Sequence, residues 1–128
     1  MQALLDTHAL LWWLSDDPAL TKAARRIIGD TKNLITVSAA SAWEIATKVR
    51  LGKLAGAADL AEDFAGCLER EGFQMLAISW DHAIRAGMLP GPRRDPFDRM
   101  LIAQAQAENI PIVSNELLFD TYGVRRVW

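Results

Sequence analysis

Four acidic residues stand where acids are least expected. Asp6 ends the apolar run Ala3-Leu4-Leu5, and Glu44 sits in a helical stretch rich in alanine and tryptophan. Asp98 falls in the first turn of another helical stretch, and Glu116 follows the apolar pair Ile112-Val113. A carboxylate in apolar surroundings needs its charge compensated. If the fold gathers these residues, a divalent cation is the natural compensation. A donor set of carboxylate oxygens, with no His/Cys ligand spacing, suits Mg²⁺ or Mn²⁺. Such an ion cancels the mutual repulsion of clustered carboxylates, lowers the pKa of bound water and stabilises charge developing on a phosphate. The chemistry that follows is hydrolysis of a phosphodiester by a metal-bound water, without a covalent intermediate. Ser38, Ser41 and Ser114 lack the GxSxG setting of a hydrolase nucleophile.

Each acid also has a plainer reading. Asp6 or Thr7 can cap the helix that carries Leu10, Leu11 and Leu14, and Thr7 can otherwise supply a hydroxyl behind Asp6. Glu44 and Lys48 have the favourable i,i+4 order of a helix ion pair, worth a few tenths of a kcal/mol; Lys48 can equally contact a substrate phosphate. In Asp95-Pro96-Phe97-Asp98, Asp95 reads as the N-cap, Pro96 as the first helical residue and Asp98 as the third. Asp95 is therefore not expected to be a ligand, whereas Asp98 also suits the helix dipole. Asn115-Glu116 reads otherwise as a polar loop, with Asp120 the second choice for a fourth acid. His8 is a ligand, a base or, as for most lone helix histidines, a structural group.

The elements that must position these groups are legible from periodicity. Ala3–Leu5, Leu34–Val37, Phe73–Ile78, Pro111–Ser114 and Val124–Trp128 read as short strands. Helical stripes lie between them: Ala23, Ile27 and Ile28; Ala39, Ala42, Ile45, Ala46 and Val49, stopped by Gly52; a single helix over Leu60–Arg70; and Met100 to Ala107. Loops are expected at Gly52–Gly56 and Pro90–Pro92. Strands alternating with helices predict an α/β fold: one three-layer α/β/α sandwich with a mostly parallel sheet of four to five strands. In such sheets a site lies beyond the carboxyl ends of the strands. Asp6, Ser38 and Ser114-Asn115-Glu116 are delivered to that edge.

With 128 residues, 51% of them apolar, the chain is expected to form a single domain over 1–128 with one proper core. A net charge of −2 sets up no global field for nucleic acid, although arginines pair locally at Arg25-Arg26, Arg93-Arg94 and Arg125-Arg126. The lone Cys67 reads as a small hydrophobe. No run approaches the roughly 18 apolar residues of a membrane span. The stretch Met1–Asp6 lacks the basic flank of a signal peptide, so a cytoplasmic location is expected.

At these residues the chain resembles a PIN-domain ribonuclease of the kind that serves as the toxin of VapBC toxin–antitoxin pairs. The likeness is carried by Leu4-Leu5-Asp6-Thr7-His8, by Val37-Ser38 with Trp43-Glu44-Ile45-Ala46, by Asp95 to Ala105, by Ile112 to Asn115, and by Phe119-Asp120 with Tyr122-Gly123-Val124. It implies a PIN-like sandwich binding Mg²⁺ or Mn²⁺ through Asp6, Glu44 and Asp98, with Glu116 at a fourth acidic position usually held by aspartate. It implies Thr7, Ser38 and Asn115 as polar positions beside the site. It further implies endoribonuclease activity on RNA, inhibition by a small VapB-like antitoxin, a homodimer, and contact with operator DNA only through the antitoxin. Arg93, Arg94, Arg99 and Lys48 are placed to hold RNA phosphates against an acidic site. Trp12 and Trp13 diverge by about 100° on a helix; one of them can line an antitoxin groove, or both can belong to the core and its rim. The rival readings are a receiver-like domain and a catalytically inactive α/β interaction module. A receiver wants paired acids after the first strand and a lysine after a later one, and this chain has neither.

Overall fold

Alternation in the first strand sets up both faces of the sheet. In β1 (Gln2–Leu5), Ala3 and Leu5 join one apolar cluster and Leu4 joins another, as a period of two requires. All three are fully buried, so the strand is central and covered on both sides. The computed structural model describes residues 1–128. After β1 come α1 (Thr7–Leu14), α2 (Lys22–Gly29), β2 (Leu34–Ser38), α3 (Ala39–Arg50), α4 (Ala58–Glu62), α5 (Phe64–Glu71), β3 (Gln74–Leu76), α6 (Trp80–Met88), α7 (Pro96–Glu108), β4 (Ile112–Val113) and β5 (Arg126–Val127). Short 3₁₀ turns lie at Ala55–Ala57 and Leu117–Tyr122.

The five strands form an all-parallel sheet in the order β3-β2-β1-β4-β5. One face packs Ala3, Leu5, Ile35 and Val37 against Leu10, Ile28, Ile45 and Leu68. The other packs Leu4 and Ile112 against Leu101, Ile102 and Phe119. The result is the expected three-layer α/β/α sandwich. A receiver-type sheet follows the order 2-1-3-4-5, so the strand order excludes that rival. No helix is long and apolar enough to cross a membrane.

Four local expectations change. The strand expected over Phe73–Ile78 is confined to Gln74–Leu76, because it is an edge strand paired with β2 over three residues. The last two strands are likewise cut, to Ile112–Val113 and Arg126–Val127. The single helix expected over Leu60–Arg70 breaks at Asp63, whose carboxylate leaves the helix and caps α5 by accepting from Gly66 N–H at 3.2 Å. Elsewhere the local chemistry holds. Gly52, at φ 74°, takes the left-handed position that ends α3.

Trp12 and Trp13 part company as helical geometry demands. Trp12 stacks with His8 and Trp128 at centroid distances of 5.5 and 5.8 Å. Trp13 turns toward Phe73, and its indole N–H donates to Glu71 at 3.2 Å. Trp12, with Leu11, Leu14, Leu54 and Leu60, lines an apolar groove of ≈ 410 Å³.

Candidate active site

Asp6 follows β1 where the sheet changes direction. β2 lies on one side of β1 and β4 on the other, the kind of switch point beyond whose strand ends ligands bind in open parallel sheets. Asp6 does cap α1, accepting from Ala9 N–H at 2.6 Å through one oxygen. It is only 5% exposed. Burial drives its pKa up; bonds from Ser114 and Ala9 and the His8 charge oppose the rise, and the Asp98 charge adds to it. Beside it, the buried hydroxyls of Thr7 and Ser41 bond each other at 3.0 Å and join α1 to α3.

Glu44 lies little more than a turn into α3. That helix starts at Ser38, whose hydroxyl accepts from Ala40 N–H at 2.9 Å at the end of β2. The same hydroxyl donates to the fully buried Gln104 of α7, tying β2 to the neighbouring helix. Glu44 is 5% exposed and points inward, while Lys48 reaches in from the surface to 2.6 Å. The i,i+4 pair read from the sequence is therefore present, with its acid buried.

Asp98 stands at the start of α7, where Asp95 accepts from Phe97 N–H and Asp98 N–H at 2.8 and 3.1 Å and acts as the expected cap. The Asp98 side chain is 19% exposed. Burial is the largest influence raising its pKa, the charges of Asp95 and Glu44 add to it, and the bond and charge of Arg93 oppose it. Asp98 thus feels the charge of Glu44, and Asp6 feels that of Asp98. Trp43 and Phe97, one residue before Glu44 and Asp98, meet edge to face at 4.7 Å and lock α3 to α7. In the sequence this pair shows only as an aromatic immediately before Glu44 and another before Asp98.

Arg93 joins Asp98 to Glu116. Its Nε donates to Asp98 Oδ2 at 2.8 Å; one terminal nitrogen contacts the same oxygen and lies 3.4 Å from Glu116 Oε2. Burial works against its charge, but the bond to Asp98 and the charges of Asp98, Glu116 and Asp95 prevail and raise its pKa. The loop that presents it is firmly tied. Gly91, at φ 104°, lets Tyr122 approach so closely that a Cβ there would meet its hydroxyl oxygen at 2.8 Å. That hydroxyl accepts from Arg93 N–H at 2.9 Å. Arg99 donates to the carbonyls of Ala86, Leu89 and Arg93, so this arginine braces the loop.

Glu116 caps the 3₁₀ turn, accepting from Leu118 N–H at 3.3 Å, and its other oxygen faces Arg93. Asp120 instead pairs with Arg126 at 2.9 and 3.2 Å. Arg94, Asn115 and His8 are exposed. No three acidic, histidine or cysteine side chains converge as a ready ligand set. Instead Lys48 draws Glu44, while Arg93 draws Asp98 and Glu116. The donor chemistry nevertheless fits a hard divalent ion. The donors are all carboxylate oxygens, Asp6 and Asp98 are raised by burial and like charge, and a guanidinium already stands in a cation's position between two of the acids.

Comparison with solved structures finds the same architecture elsewhere. VapBC2 from Rickettsia felis, bound to a DNA fragment from its promoter, matches with a TM-score of 0.73 at 19% identity, over 99% of this chain and 98% of that one. VapBC-1 from nontypeable Haemophilus influenzae matches with 0.64 at 13% identity, over 99% and 97%. FitAB bound to an IR36 DNA fragment matches with 0.60 at 16% identity, over 98% and 93%. Comparison with curated proteins finds no match. The model of the PIN domain matches residues 3–124, and the chain belongs to the PIN domain family.

Proposed function

We propose that this PIN domain is a metal-dependent endoribonuclease and the toxin of a type II toxin–antitoxin pair. One observation supports the reading: buried Asp6, at the end of the central strand, feels the charge of Asp98, and Asp98 feels that of Glu44, although the three are far apart in the chain. In this reading Asp6, Glu44, Asp98 and Glu116 hold Mg²⁺ or Mn²⁺. Such an ion, when bound, supplies a Lewis acid that lowers the pKa of water and neutralises charge on the attacked phosphate. Asp6 is kept in place by the α1 cap, and Glu44 and Asp98 by the α3–α7 contact. The Thr7–Ser41 pair and the Ser38–Gln104 bond hold the surrounding elements in register. Lys48, Arg93 and Arg94 receive the RNA phosphates, which the carboxylates alone would repel. Asn115 lies on the exposed rim. Arg99 acts on RNA indirectly, by fixing the loop that carries Arg93.

The partners belong to the same proposal. The VapBC and FitAB likenesses support a cognate antitoxin, with operator DNA reached through it. The groove beside Trp12 suits the apolar face of a short antitoxin helix. Trp80, Ile84 and Met88 form one exposed stripe on α6, next to exposed Ile78, a surface suited to a homodimer. The cytoplasm is the compartment such a pair would occupy. The test is incubation of the purified chain with end-labelled RNA, in Mg²⁺ or Mn²⁺ and in excess chelator. Cleavage confined to the metal-containing reactions is expected; cleavage that persists in chelator contradicts the reading.

A further inference from the structure

We infer that Arg93 is a built-in counter-cation, which holds Asp98 and Glu116 until a divalent ion takes those carboxylates and then turns its guanidinium away from them. The inference rests on the metal-dependent reading above and deepens it. Two observations lead there. First, the guanidinium forks onto a single oxygen, Asp98 Oδ2, while the same terminal nitrogen reaches Glu116. An ion that takes Oδ2, alone or together with Oδ1, cannot share it with this fork, because the two cations would repel at contact distance. Binding through Oδ2 is therefore an exchange of cations. Second, the backbone beneath Arg93 is fixed by Tyr122 at its N–H and by Arg99 at its carbonyl. The exchange thus needs rotation of one long, quarter-exposed side chain and no refolding of the loop.

Glu44 offers a contrast within the same site. Lys48 pairs with it from the next helical turn through a single ammonium, which donates without the geometric constraint of a fork. Asp6 makes no ion pair closer than 4.0 Å. The fork on Asp98 is therefore the main internal competitor for an incoming ion.

The experiment is calorimetric titration of Mn²⁺ alone into the RNA-free chain and into Arg93→Gln, Arg93→Lys and Arg94→Gln. Each form is also melted with chelator and with Mn²⁺. Removing the charge-assisted fork should tighten Mn²⁺ binding about tenfold in Arg93→Gln. The same variant should melt lower than the parent in chelator and gain more from Mn²⁺. Arg93→Lys, which keeps the charge without the fork, should fall between, and gives the comparison if Arg93→Gln folds poorly. Arg94→Gln, next door but exposed, should bind like the parent. If the parent binds Mn²⁺ while neither Arg93 variant binds more tightly, the exchange is refuted and the metal reading stands. If no form binds Mn²⁺, the metal reading itself fails.

Discussion

The two halves of the site are built on different principles. Asp6 and Glu44 are buried and fixed by regular elements, one at the end of the central strand and one a turn inside α3. Asp98 and Glu116 lie at the rim, joined by a side chain from a loop. The first half is set mainly by regular elements: strand register and the α1 cap fix Asp6, while Glu44 is buried on α3 and paired with Lys48 of the same helix. The second is organised by a counter-charge that can be exchanged. A site built this way keeps its shape without a cation while leaving the rim free to reorganise.

The largest effect should come from the buried half. Asp6→Asn is expected to lower RNA cleavage by more than about 100-fold, beyond what losing a group behind a metal ligand does. Asparagine caps a helix as well as aspartate, so the fold should survive. The same variant tests the electrostatics. A carboxyl raised in the folded state contributes stability that is full below its unfolded pKa and lost as pH rises through its folded pKa. Asp6 and Asp98 are both raised, so the chelated parent should melt lower as pH climbs through that window. Asp6→Asn should flatten the profile and melt higher at neutral pH. An unchanged profile would remove Asp6 as a strained, buried charge.

Gln104→Leu should weaken the frame of the buried half. It strands the Ser38 hydroxyl and the Ala77 carbonyl, which Gln104 Nε2 reaches at 3.3 Å, and should cost about 1–3 kcal/mol in urea unfolding. At the rim, Glu116→Gln should slow cleavage by about tenfold, well short of Asp6→Asn. A loss as large as that of Asp6→Asn would make the two halves equivalent. The smallest effect belongs to Asp120→Asn, which opens a half-exposed pair with Arg126 and should change stability by less than about 1 kcal/mol. Its cleavage rate should match the parent; a large loss would move the fourth acidic position from Glu116 to Asp120.

The same division separates what was legible in the sequence from what was not. The strand-end places of Asp6, Ser38 and Ser114 could be read, because short apolar runs carry their own geometry: strands of a parallel sheet release their last residues at one edge. The Asp95-Pro96 cap likewise fixed the start of α7 and so the place of Asp98. What escaped reading depends on contacts between segments remote in sequence. Arg93 reaches Glu116 only because Gly91 lets Tyr122 pin its loop, and no spacing rule links those positions. Arg99 looked like its neighbours in composition but turns to backbone carbonyls. Asp63 broke a helix whose apolar stripe ran on regardless, because a local cap outweighed the periodicity.

The most direct test of the cation site is anomalous diffraction from crystals of the chain soaked in Mn²⁺. An ion is expected within about 2.1 Å of carboxylate oxygens of Asp6 and Asp98, with the Arg93 guanidinium turned away. A map at saturating Mn²⁺ with no peak there, and Arg93 still on Asp98, contradicts the site.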